Sequence, residues 1–122
     1  MGEALKVLVV DDDAAMRKML RRLLSSAASV EDIQEAGSGG EAIEMLPSFS
    51  PDVVIMDAHM PGMNGAEATR QIKERFAHII VIGVSGTDDH SMREAGATTV
   101  LLKGDVTTAL VELLESMAGS TE

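Results

Sequence analysis

Pro51-Asp-Val-Val-Ile-Met-Asp57-Ala-His-Met-Pro61-Gly-Met-Asn-Gly65 decides the reading of this chain. A run of apolar residues ends in one carboxylate, Asp57, and a Pro/Gly-rich loop follows at once. A short, nearly continuous apolar run of this kind is the pattern of a strand buried on both faces, and hence of a parallel sheet. Three other places repeat the layout, a nearly continuous apolar run that stops at a polar residue: Leu5-Lys-Val-Leu-Val-Val10 before Asp11-Asp12, Ile79–Val84 before Ser85, and Thr99–Leu102 before Lys103.

Between these runs the apolar spacing becomes helical. Asp13 is placed to cap a helix from Ala14 to about Ala27, with Met16, Met19, Leu20, Leu23, Leu24 and Ala27 in one stripe. Its opposite side carries Arg17, Lys18, Arg21 and Arg22, which reads as a solvated face or as a docking patch. Val30–Ala36 is a weak second strand. Gly37-Ser-Gly-Gly-Glu41 lacks the spacing of a nucleotide loop, and Ser38 with Glu41 makes a capping box for a helix over 39–46 that Pro47 ends. Helices are expected over 66–76, over a short polar segment 88–95 closed by Gly96, and from a cap at Asp105 onward, with a frayed tail at 118–122.

Strands and helices therefore alternate through five units. That order demands an α/β fold: a doubly wound five-stranded parallel sheet with helices on both faces. The 122 residues suit one domain, 1–122, with no output domain in this chain. Aromatic residues are 2% of the chain, so the core must be aliphatic, with nine methionines as adaptable filler. The absence of cysteine excludes disulfides and thiolate metal sites and fits a cytoplasmic setting. A net charge of −10 argues against a direct grip on nucleic acid, and no apolar run approaches the length of a membrane span.

In an open parallel sheet, sites form beyond the carboxyl ends of the strands, where Asp11, Asp12, Asp57, Ser85 and Lys103 all lie. Carboxylates brought together must take up protons or bind a cation. Oxygen ligands without His or Cys suit a hard ion, and few ligands with room for water suit Mg²⁺. A cation, an ammonium and a hydroxyl around one carboxylate are what phosphoryl transfer onto that carboxylate requires. The plainer alternative is an acidic rim with one compensating lysine.

Val-Val-Asp-Asp at 9–12, Asp-x-x-Met-Pro-Gly-Met-Asn-Gly at 57–65, Val-Ser-Gly at 84–86, Ala-Gly-Ala at 95–97 and Leu-Lys at 102–103 stand in this order along nearly the whole chain. By them the sequence resembles a CheY-like response-regulator receiver domain, and Asn64–Ile72 with Leu-Leu-Lys-Gly resembles the NarL/LuxR type. The resemblance implies a flavodoxin-like topology and a phosphoprotein of two-component signal transduction or a phosphorelay. Asp57 would be the phosphoacceptor, served by a phosphohistidine on a sensor histidine kinase or histidine phosphotransfer protein, and the result would be a switch in binding to a downstream protein target. The chain would promote its own phosphorylation and dephosphorylation without being a turnover enzyme. Mg²⁺ would be held by Asp12, Asp57 and the backbone carbonyl of His59, with Asp11 acting through a water. Lys103 would pair with a phosphoryl oxygen, and Ser85 would swing in to hydrogen-bond it. His59 is expected to be exposed; it and Thr87 occupy positions that help set the lifetime of the phosphoaspartate.

Three departures from the family pattern fall on its usual output face. Gly104 replaces the proline after the lysine, so a trans bond is expected. Val100 stands where an aromatic rotamer switch is common. The fourth helix is shorter by roughly one turn. Two readings therefore stand beside the phosphorylated receiver: a pseudo-receiver interaction module, and an isolated receiver from a DNA-binding transcription regulator. A haloacid-dehalogenase-like phosphatase needs a second Asp two residues after the nucleophile, where His59 stands. A flavodoxin-like FMN site needs hydroxyls and glycines where three aspartates follow the first strand.

Overall fold

A computed structural model describes residues 4–88 and 90–119. The element order is β1 (Leu5–Val10), α1 (Ala14–Ser25), β2 (Val30–Ala36), α2 (Gly39–Phe49), β3 (Val53–Asp57), α3 (Gly65–Arg75), β4 (Ile80–Ser85), α4 (Ser91–Glu94), β5 (Thr99–Leu102) and α5 (Val106–Gly119). All strand pairs are parallel, in the order β2-β1-β3-β4-β5. The expected five-stranded doubly wound sheet is therefore the fold.

Alternate residues of the buried strands serve the two faces, because side chains alternate along a strand. Leu8, Val10, Val54, Met56 and Val81 pack with Ala42, Leu46, Ala68, Ile72 and Met92 of α2, α3 and α4. Val7, Val9, Val53, Ile55, Ile82 and Val84 pack with Leu20 and Leu24 of α1 and Leu110 and Leu114 of α5. Each fully buried Leu or Ile contributes about 1.5–3 kcal/mol over leaving it exposed. These two aliphatic layers hold the sheet that carries the site.

Helix starts follow local chemistry. Asp13 accepts from the Ala15 N–H at 2.9 Å, as expected of the cap. Ser38 accepts from the Glu41 N–H at 3.1 Å, while the Glu41 carboxylate accepts from Gly37 N–H at 2.6 Å, so the return bond lands one residue before the capping residue. Asn64 caps α3 by accepting from the Glu67 N–H at 2.9 Å.

Several boundaries differ from expectation. Pro47 lies inside the last turn of α2 and does not end it; the helix reaches Phe49. A proline this late removes a single helical bond. Burial of Phe49 and the left-handed Ser50, whose N–H donates to Leu46 at 2.9 Å, hold the final turn. α1 stops at Ser25, and Ala27 packs from the turn beyond it. Asp105 does not cap α5. It ends a 3₁₀ turn, Lys103–Asp105, that runs straight into α5, and its carbonyl accepts from the Thr108 hydroxyl at 3.1 Å. The tail starts later than expected: Ala118 is buried on α5, and 120–122 lie outside the described residues.

The fourth helix is shorter still than the sequence suggested. Only Ser91–Glu94 is helical, with Met92 buried, and the chain leaves through Gly96 at φ +115, a left-handed turn that favours glycine. Asp88 is described but not helical, and Asp89 lies outside the described residues. No cis peptide bond occurs among the described residues, so Gly104 follows Lys103 in trans as expected. Val100 is half-buried against the α2–α4 side of the core. Leu102, 43% exposed, is the one large apolar side chain left open among the described residues.

Candidate functional site at the carboxyl edge of the sheet

β1 and β3 are neighbours, and chain order reverses between them: one crossover leaves toward β2, the other toward β4. A crevice opens at such a switch point. Asp11 follows β1 and Asp57 ends β3, so the topology delivers an acid from each side of that crevice. One carboxylate oxygen from each of Asp11, Asp12 and Asp57 lies within 4.8 Å of the others. Asp11 and Asp57 are buried, at 2% and 3% exposed, while Asp12 faces solvent.

Lys103 comes from the start of the 3₁₀ turn after β5 and reaches across β4, its Nζ 3.9 Å from Asp57 Oδ1. Its side chain is 47% exposed, so it guards the rim and leaves the pocket open. Ser85 ends β4, fully buried, and its hydroxyl accepts from the Thr87 N–H at 3.2 Å. His59 is exposed as expected, and its backbone N–H donates to Asp57 Oδ1 at 3.3 Å. Gly65 opens α3 directly against the peptide after Asp57, its N–H donating to the Ala58 carbonyl at 3.0 Å.

Burial pushes the Asp11 carboxyl up from 3.8 to about 6; the charges of Asp57 and Asp12 push the same way, against the Asp13 N–H bond and Lys103. A pKa raised on folding means that the neutral acid is the form the fold prefers. Its contribution to stability is full below about pH 3.8 and is lost as pH rises through 6. Asp11→Asn, which can still accept from the Asp13 N–H, should therefore stabilise the metal-free protein at pH 7 by about 1–2 kcal/mol, after discounting for solvent at the open rim. Urea melts from pH 4 to 8 check this: the variant's advantage should appear between pH 4 and 7 and be absent at pH 4.

One residue near the site was not singled out by the sequence. Arg17 Nη1 donates to the backbone carbonyl of Asp11 at 2.6 Å. Of the basic face of α1, Lys18, Arg21 and Arg22 are exposed, as the solvated reading expects, but Arg17 is partly buried, and Arg17 and Arg21 both bond to Glu35 of β2, at 3.2 and 2.6 Å. The Arg21 hydrogen bond, followed by that of Arg17, holds the Glu35 carboxyl below its ordinary range. The i, i+4 arginine pair on α1, followed in sequence by an acid-bearing second strand, was the available signal.

Fold and pocket together define a class: doubly wound α/β proteins with an acid cluster, a lysine and a serine at the carboxyl edge of the sheet. Within it, the chain belongs to the response regulator receiver domain family, whose model matches residues 7–115. It is similar to the transcriptional regulatory protein DegU of Brevibacillus brevis, 31% identical over 93% of this chain and 50% of that protein. It is also similar to a protein-glutamate methylesterase/protein-glutamine glutaminase of Geobacter metallireducens, 42% identical over 79% of this chain and 29% of that protein. Thus it spans half or less of the length of these curated relatives. Among solved structures, the receiver domain of the response regulator NarL from Mycobacterium tuberculosis superposes with TM-score 0.86 and 30% identity, covering 97% of this chain and 98% of that one. The response regulator domain of Thermotoga maritima CheB gives 0.85 and 29%, covering 98% and 100%.

The chain is thus a receiver domain of two-component signalling, a family that works with histidine kinases or phosphotransfer proteins and is generally Mg²⁺-dependent. Among the described residues, no helix is long and apolar enough to cross a membrane.

Proposed function

We propose that Asp57 accepts a phosphoryl group from a phosphohistidine, with Lys103 and Ser85 receiving the transferred oxygens. The observation that carries this is the placement of Asp57. It is nearly buried, yet aligned with an open crevice, with two acids on one side and an ammonium 3.9 Å away on the other. An Asp57 carboxylate oxygen attacks phosphorus, the phosphorus–nitrogen bond to the donor imidazole breaks, and the imidazole leaves with the electron pair. Lys103 offsets charge on the phosphoryl oxygens, and Ser85 supplies a hydroxyl from the end of β4.

The donor set fits Mg²⁺: three carboxylates converge with no His or Cys side chain among them, and burial together with the charges of Asp57 and Asp12 raises the Asp11 carboxyl. Asp12, Asp57 and the His59 carbonyl would hold the ion directly, and Asp11 through a water. When bound, it would neutralise charge developing on the phosphoryl oxygens. Asp12→Ala should abolish Mg²⁺ binding in an isothermal titration; unchanged affinity would remove the ion from this site.

Intact mass after incubation with Mg²⁺ and acetyl phosphate tests the whole reading, the parent gaining a single phosphoryl group. No adduct, from acetyl phosphate or a phosphohistidine donor, would favour a pseudo-receiver instead. The departures at Val100, Gly104 and the four-residue α4 replace none of Asp11, Asp12, Asp57, Ser85 and Lys103, and they fall on the side where the family reports its state. The chemistry is thus kept while the reporting surface is altered, and the output passes to a partner protein or to an attached domain such as a DNA-binding one. Nothing in the reading places the chain itself on nucleic acid, and its setting is the cytoplasm.

A further inference from the structure

Arg17 turns inward. It lies one turn into α1, its side chain is only 22% exposed, and two of its nitrogens are engaged: Nη1 on the Asp11 carbonyl at 2.6 Å and Nε on Glu35 at 3.2 Å. The other Glu35 oxygen takes Arg21 Nε at 2.6 Å, and Arg21 Nη2 donates to the Ile33 carbonyl at 2.9 Å, so the guanidinium of Arg17 is anchored on β2. The carbonyl it grips belongs to the peptide that joins Asp11 to Asp12. Meanwhile the Asp11 N–H donates to the Ala36 carbonyl at 3.1 Å. Both bonds to the Asp11 backbone therefore lead to β2, one directly and one through Arg17 of α1, and the latter is charge-assisted and short, which restricts orientation more than a neutral bond does. Asp12's carboxylate is exposed, and the Cα that bears it is placed by that planar peptide.

We propose that Arg17 is a positioning residue for the acid site: by holding the Asp11–Asp12 peptide it sets where the Asp12 carboxylate stands relative to Asp57, and thereby how tightly the cluster holds Mg²⁺. This rests on the reading of the cluster as a Mg²⁺ site. Simple electrostatics gives the opposite sign, because removing a positive charge beside a cation site should tighten binding. The sign of the effect therefore separates a positioning role from a mere neighbouring charge. Arg21 shares the helix face, the charge and the bond to Glu35 but does not touch Asp11, so it is the matched control.

The experiment is isothermal titration of Mg²⁺ alone into the parent, Arg17→Met, Arg17→Lys and Arg21→Met at fixed ionic strength, with thermal melts of each. Arg17→Met should weaken binding roughly 10-fold, the scale seen when a group supporting a metal ligand is lost. Arg17→Lys should recover part of it, and Arg21→Met should stay near the parent even where its melting temperature falls as far. Equal or tighter binding by Arg17→Met, or an equal loss in Arg21→Met, overturns the proposal. A parent that binds no Mg²⁺ overturns it together with the acid-site reading, so the parent titration tells the two failures apart. If Arg17→Met does not fold, Arg17→Lys against Arg21→Lys carries the same comparison, with weaker binding expected only in the first.

Discussion

Asp57→Asn is expected to take up no phosphoryl group from acetyl phosphate with Mg²⁺, while the parent gains one by intact mass. The amide is nearly the same size, so the packing of β3 survives, and its oxygen still accepts from the His59 N–H. What it lacks is a lone pair able to attack phosphorus with the strength of a carboxylate, and the negative charge that helps draw a cation to the crevice. The acids that remain, Asp11 and Asp12, cannot substitute. Asp11 is buried, with its carboxyl bonded to the Asp13 N–H and raised in pKa, and Asp12 faces solvent, where it lacks the Lys103 ammonium that stands against Asp57. The loss should therefore be complete. An adduct of equal yield on the variant would move the acceptor to another residue and sink the assignment.

Gly65→Ala should be among the most damaging single substitutions in the chain. A Cβ at this position would fall on the carbonyl oxygen of Asp57, closer than any real Cβ contact, and 2.8 Å from the Ala58 Cα. Both obstacles are backbone, which cannot rotate aside as a side chain tip could. Either α3 lifts from the sheet, straining the Gly65 N–H bond to the Ala58 carbonyl, or the loop after β3 moves and takes Asp57 with it. The expected cost is about 3 kcal/mol or more, at the top of the range for overpacking. Urea denaturation should show the loss of stability, and the adduct yield under folding conditions should fall with it. Near-parent stability would mean that α3 has more freedom at its start than this close approach allows.

The sequence made the architecture legible because buried parallel strands leave nearly continuous apolar runs, and β1 and β5 are bounded where those runs begin and end. Boundaries were missed where tertiary contacts override a local signal. Pro47 reads as a stop, but Phe49 beyond it is buried and keeps the last turn of α2 helical. Asp105 reads as a cap, but the chain leaves β5 so tightly that a 3₁₀ turn feeds α5 without one. For α4, the polar stretch carries too little apolar periodicity to set a start, and Met92 alone is fully buried in it.

Sequence by itself determined which residues end the strands, and hence that Asp11, Asp12, Asp57, Ser85 and Lys103 share one edge, because in a parallel sheet all carboxyl ends point the same way. Only the tertiary structure decided how they stand to one another: Asp11 and Asp57 buried across the switch point, Asp12 in solvent, Lys103 3.9 Å from one oxygen of Asp57, and Arg17 behind the acids with its charge on a backbone carbonyl. Those relations depend on strand order and on side chains meeting from α1 and β2, far apart along the chain. No local pattern of residues records them.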